Sequence, residues 1–250
     1  MTPILRTHGL SRFFGALRAV NDVTLDIEEE GIHAVIGPNG AGKTTFFNLL
    51  TGFLRPTAGR ISFLGQDITR RAPHQISALG IGRSFQITSV FPHLPVRENV
   101  RIALQGREGV SYRLLGSMSR LSYLEEQAAE ILERVGLEHK ADLPANGISH
   151  GERRILDIAV AMATGPRLLL LDEPASGLAG EEITRLVRLI GELAHSTVIV
   201  LVEHNIELVL SLSRTIAVLH QGEVIAQGSP DAIQCDARVQ EAYLGGPPCS

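Results

Sequence analysis

The sequence predicts an α/β fold: a mixed sheet with helices on its faces and a helical block inserted into it. Three observations carry this. The apolar stretch Gly31 to Ile36 leads into a glycine-rich loop, and Phe46-Phe47-Asn48-Leu49-Leu50 continues from the loop as a helix. The runs Leu168 to Leu171 and Thr197 to Val202 are apolar without interruption, as strands buried on both faces must be. Between them and the first half of the chain, from Ile87 to about Gly165, the period changes to that of helices.

Composition narrows the class. At 250 residues the chain can bury a sizeable core. A net charge of −4 lacks the broad basic footprint of a nucleic-acid binder. Cys235 and Cys249 have no metal-ligand spacing and fit free thiols in a reducing cytoplasm. Met1 to Arg12 contains no apolar signal region, and the apolar runs are too short to span a bilayer. The expectation is a cytoplasmic protein that reaches a membrane only by docking on something else.

Taken in order, Ile4 to Leu10 and Val20 to Ile27 read as strands, with Val23, Leu25 and Ile27 on one face. Arg12-Phe13-Phe14-Gly15 reads as a loop whose aromatic pair either stacks on a purine or packs. Arg60 to Leu64 is a strand, Gly65-Gln66-Asp67 a turn, Ala72 to Leu79 a helix, and Gly80 to Phe85 a strand ending at Gln86. In the helical block, Phe91 to Pro95 is a rigid loop and Val96 to Leu104 a helix, while Gly106 to Ser122 is irregular. Tyr123 to Val135 carries Leu124, Ala128, Ile131, Leu132 and Val135 on one stripe and stops at Gly136. Ser149 and Glu152 have the spacing of a capping box, and the helix they start runs on from Arg153 to Ala163. Glu181 to Ala194 and Asn205 to Leu212 are helices. Thr215 to Leu219 and Glu223 to Gln227 pair as strands, and Pro230 to Leu244 forms a helical tail.

The chemistry starts at Gly37-Pro38-Asn39-Gly40-Ala41-Gly42-Lys43-Thr44-Thr45, which satisfies G-x-x-x-x-G-K-[ST]. In a strand–loop–helix setting the loop N–H groups form an anion nest at a helix N-terminus. Lys43 brings a charge to the β and γ phosphates, and the Thr44 hydroxyl can ligate Mg²⁺. Asp172 and Glu173 end the leucine strand, at the carboxyl edge where such sheets bind ligands. Asp172 is assigned to the metal and Glu173 to the attacking water as general base. His204 ends the next apolar strand and can donate to a γ phosphate. Gln86 has an oxygen able to reach Mg²⁺ or the water.

The ordered set Phe14, Gly37 to Thr45, Gln86, Ser149-His150-Gly151-Glu152, Leu168 to Glu173, Ser176-Gly177-Leu178 and His204 resembles that of ATP-binding cassette (ABC) transporter subunits. The Ser-x-Gly-Glu segment ahead of the Asp-Glu strand end is its most specific part. The resemblance implies a P-loop NTPase core with an N-terminal antiparallel β subdomain (1–86 and 166–250 together) and a helical signature subdomain (87–165). It implies ATP and Mg²⁺, Phe14 stacked on adenine, and a head-to-tail dimer. Ser149, Gly151 and Glu152 would cap the ATP held by the other subunit, with its free N–H groups and positive helix end as the physical reason. The second subunit would be the same or a different chain. Transmembrane permeases would contact Ile87 to Val100, and a substrate-binding protein would act indirectly, placing the protein on the cytoplasmic face of the membrane. Thr51-Gly52-Phe53, Arg83-Ser84-Phe85-Gln86, Val202-Glu203-His204-Asn205 and Ala242-Tyr243-Leu244-Gly245 are most similar to ATPases of branched-chain amino-acid, amide and urea importers, and partly to lipopolysaccharide-export ATPases. There are two departures. His150 stands where the family has glycine, and Ala179 where it has an aspartate that works across the dimer.

Overall fold

A computed structural model describes residues 3–84, 90–107 and 118–244. Two sheets form the core. The first is antiparallel, in the order β2-β1-β4-β5, from Leu17–Ile27 (β2), Leu5–Phe14 (β1), Ala58–Phe63 (β4) and Gln66–Asp67 (β5). The second contains Ile32–Ile36 (β3), Ile81–Ser84 (β6), Leu168–Asp172 (β7), Val198–Val202 (β8), Thr215–His220 (β9) and Glu223–Gly228 (β10). Its order is β10-β9-β3-β8-β7-β6, parallel except for β10.

The two runs of unbroken apolar residues are explained by burial on both faces. Leu168 and Leu170 join Val198 and Val200 in a core facing the antiparallel sheet and Phe46 and Phe47 of helix Lys43–Leu50 (α1). Leu169 and Leu171 join Ile199 and Leu201 in a second core beneath the larger helices. Those helices are Val96–Arg107 (α3), Met118–Arg134 (α4), His150–Ala163 (α5), Glu181–Leu193 (α6) and Ile206–Leu212 (α7); the short Pro73–Ala78 (α2) packs by Ile76 on the other side. Burying one such leucine is worth about 1.5–3 kcal/mol. The helical block joins the sheet chiefly through α5. Its apolar residues Ile155, Leu156 and Ile158 are buried, and so are Arg154 and Asp157.

Local departures from expectation have local causes. Arg12 to Gly15 is no loop: β1 runs to Phe14, pairs with Leu17, and turns through Gly15 and Ala16, with Gly15 at φ 60°. Gln66 and Asp67 are a strand, because the turn lies one residue earlier at Leu64 and Gly65, both at positive φ. The tail is helical, as expected, but divided into segments. Asp236 caps Ala237–Val239 (α9) through the Arg238 N–H and so separates it from Pro230–Gln234 (α8). The bonds to Arg238 hold the Asp236 carboxyl down at about 2. Of the irregular Gly106 to Ser122, residues 108–117 lie outside the described residues, and α4 begins at Met118.

Candidate active site

The sheet order decides the site. β3, β8, β7 and β6 are consecutive neighbours, so the segments that follow them meet at one carboxyl edge. The glycine-rich loop follows β3, His204 follows β8 and Glu173 follows β7. Strands about 4.8 Å apart put the loop and the acids about 10 Å from each other. Gln86, expected after β6, lies outside the described residues.

The loop is fastened from outside. Gly222 N donates to Ala41 O (3.0 Å), and Asn21 N to Gly222 O (2.8 Å), tying it to the β9–β10 turn and to β2. A Cβ at Gly37 would sit 2.1 Å from Leu219 O, and one at Gly42, where φ is 102°, would sit 2.2 Å from Ala19 O. Glycine is therefore required at both by close backbone approach. At Gly40 nothing lies within 4 Å of the Cβ position. Lys43 Nζ donates to Gly37 O (2.6 Å) and Pro38 O (3.0 Å), curling back onto its own loop. Burial pushes its ammonium down, while Glu173 and Asp172 pull it back up, so both acids act on the lysine. Thr44 is exposed in the first turn of α1, and Thr45 is half-buried beside it.

Asp172 is fully buried. Its Oδ2 accepts from Arg83 Nη2 at 2.9 Å, and Arg83 Nη1 also donates to Asn48 Oδ1 (2.6 Å) on α1. Asp172 Oδ1 has no hydrogen-bond partner. That leaves an acceptor suited to a cation or its water, and Thr44 offers the exposed hydroxyl, so these residues fit Mg²⁺. Among the described residues no cluster of three or more His, Cys, Asp or Glu could hold a metal.

Glu173 sits at φ 48°, a left-handed conformation that costs a non-glycine residue on the order of 1–3 kcal/mol. Its Oε1 lies 2.6 Å from His204 Nε2. Three side chains at this strand end were not singled out as site residues by sequence reasoning: the buried Arg154 and Glu203, which bond the backbone around Glu173, and the half-buried Arg83 on Asp172. The available signal was a charge inside a buried strand or on the apolar stripe of a helix, which a single sequence does not separate from an exposed one.

Ser149, Gly151 and Glu152 are brought together at the start of α5. Ser149 caps α5, its Oγ accepting from Glu152 N (3.2 Å), while Glu152 Oε2 accepts from Ser149 N (2.9 Å). Glu152 Oε1 pairs with Lys140 at 2.6 Å, so both its oxygens are engaged within the chain. Burial pushes the Glu152 carboxyl up, but Lys140 and the Ser149 bonds pull it below its ordinary value. The His150 ring lies against Gly177, with Cε1 3.3 Å from that residue's Cβ position. Phe14 is 43% exposed at the hairpin tip, with the Arg12 guanidinium 4.6 Å from its ring centroid.

A mostly parallel sheet with this loop, an Asp-Glu strand end and a facing histidine defines a nucleoside triphosphatase of the P-loop class. Residues 20–176 match the family model described as ABC transporter, and residues 223–247 that of the branched-chain amino acid ATP-binding cassette transporter. The chain belongs to the ABC transporter family of ATP-binding proteins. It is 42% identical over 250 residues to the high-affinity branched-chain amino acid transport ATP-binding protein LivG of Salmonella typhimurium, covering 97% of this chain and 98% of that one. Its fold matches the ADP conformation of MJ1267, an ATP-binding cassette of an ABC transporter, with a TM-score of 0.85 at 29% identity, covering 98% of this chain and all of the other. It also matches the dimeric post-hydrolysis state of the ATP-binding cassette MJ0796 bound to ADP and Pi, with a TM-score of 0.77 at 26% identity over 90% of this chain and 98% of the other.

Proposed function

We propose that the chain is the ATP-hydrolysing subunit of an importer, powering uptake of branched-chain amino acids or related amides or urea. The observation that carries hydrolysis is Glu173 held 2.6 Å from His204 at the strand ends beside the glycine-rich loop. Glu173 takes the proton of the attacking water as general base; the His204 N–H orients that carboxylate in the nucleotide-free site and turns to the γ phosphate when ATP is bound. Gly37 to Thr45 binds the phosphates, with Lys43 as the positive charge. Phe14 offers its exposed face to adenine, while Arg12 covers the other. Mg²⁺, when bound, neutralises phosphate charge; Thr44 and Asp172 would hold it, with Gln86. The cargo class is supported by the relatives' names and by the match at residues 223–247.

Ser149 and Gly151 serve a second ATPase subunit, because α5 offers them at the helix N-terminus of the helical block. Glu152 holds that cap in place. Permease docking is proposed at Ile87 to Val100, of which residues 87–89 lie outside the described residues; a groove of about 310 Å³ lined by Phe53, Pro73, His74, Ile76, Val160 and Thr164, with Phe53 exposed, offers a further surface. Among the described residues no helix is long and apolar enough to cross a membrane. We place the protein at the cytoplasmic membrane face through its permeases.

The test is Glu173→Gln in the purified chain. ATP binding stays and turnover falls by about 10²–10⁴-fold. Equal ATPase rates in the variant and the parent would remove the general base from the mechanism.

A further inference from the structure

The turn that carries Glu173 is gripped from two sides by buried, oppositely charged side chains. Arg154, 4% exposed on α5, donates from Nη2 to Asp172 O (2.7 Å) and Glu173 O (2.5 Å) and from Nε to Pro174 O (3.3 Å). Glu203, 3% exposed, accepts from Ala175 N through Oε1 (2.6 Å) and from His204 N through Oε2 (3.0 Å). A cation thus collects the carbonyls of the turn. An anion collects one amide of the turn and one amide of the facing loop.

We propose that Arg154 and Glu203 are the positioning residues that assemble the Glu173–His204 pair. The inference rests on the reading of Glu173 as general base. Glu173 sits in left-handed backbone, which a glutamate leaves unless its surroundings over-determine it. Its own carbonyl and those on either side are held by a charged donor, and such bonds are roughly twice as strong as neutral ones. Glu173 N donates to Val202 O (2.8 Å), fixing the turn to β8. The direction of the carboxylate follows from that backbone. Glu203 then sets the distance between the turn, at Ala175, and the backbone of His204. One residue fixes the acid and the other fixes acid and imidazole relative to each other. Arg154 also starts from the same helix end as Ser149, five residues on. The segment offered to a second subunit is therefore rigidly connected to this chain's own general base.

The experiment uses the full chain with Arg154→Met, Arg154→Lys and Glu203→Gln, beside Glu173→Gln. Histidine-¹⁵N NMR of the nucleotide-free protein reads the His204 Nε2–H signal, assigned by its loss in His204→Gln. Binding of a fluorescent ATP analogue and steady-state ATPase give KM and kcat separately. We expect Arg154→Met to move the His204 signal to its position in Glu173→Gln and to lower kcat on the order of 10²-fold with KM nearly unchanged. Arg154→Lys, which retains a charge but not the fork, recovers part of both. Glu203→Gln, which keeps one acceptor oxygen, falls between the parent and Arg154→Met. Folded Arg154→Met and Glu203→Gln proteins with the parent's His204 signal and kcat overturn the proposal. If Arg154→Met does not fold, Arg154→Lys and Glu203→Gln decide by the same two readouts. Undiminished turnover in Glu173→Gln sinks the base assignment instead, and the NMR signal still reports whether the clamp sets the pair.

Discussion

Lys43, Asp172 and Arg83 show what single residues contribute. Lys43 bends onto the carbonyls of its own loop and is acted on by two acids, so it is a charge already held near the proposed phosphate site. Lys43→Ala removes a charged contact worth about 1.5–3 kcal/mol, so ATP affinity should fall roughly 10–150-fold, as read by calorimetric titration. Arg83 neutralises one oxygen of a carboxylate that is 1% exposed, and leaves the other as an acceptor. Arg83→Met should strand Asp172 and cost about 3–5 kcal/mol, measured by urea unfolding. Lys43 was legible because its loop is a contiguous pattern. Arg83 was legible only as part of a family-like phrase, since its partners Asn48 and Asp172 are distant in sequence and joined only by the sheet.

At the scale of elements, α5 connects the helical block to the sheet. Its capping box was readable from Ser149 and Glu152 at three-residue spacing, and the structure has both reciprocal bonds. Ser149→Ala should cost about 0.5–2 kcal/mol by thermal melting and slow hydrolysis, while ATP binding by the single chain is spared. Loss of that binding would place Ser149 in its own chain's site. The Glu152 carboxyl lies below its ordinary value, so its stabilisation is complete above about pH 4.3 and is lost as the pH falls through the lower folded value. Hydrogen exchange at the start of α5 should quicken across that acid window and not above it. Lys140 was not anticipated as a partner, because it comes from the turn after α4, twelve residues before Glu152.

For the whole molecule, the residue at position 179 bears on which chain supplies the second half-site. Ala179 is exposed where the family has an aspartate, and His150 lies against Gly177 nearby. With that acid missing, we expect the physiological dimer to pair this chain with a different ATPase. Glu173→Gln with ATP should self-associate only weakly by light scattering when alone, enough for basal turnover; tight self-association would remove the reason for a mixed dimer. The sequence by itself determined the α/β class, the glycine-rich loop, the two buried strands and the identity of the acids and histidine that end them. Each of these is written in contiguous residues with a period of 2 or 3.6 or a fixed spacing. Only the tertiary structure decided that β8 lies between β3 and β7, which is what brings His204 onto Glu173. It alone paired Arg83 with Asp172, and set Arg154 and Glu203 around a left-handed glutamate. Those contacts join residues up to 89 positions apart, and the sheet order that makes them neighbours is settled by packing between elements rather than by local pattern.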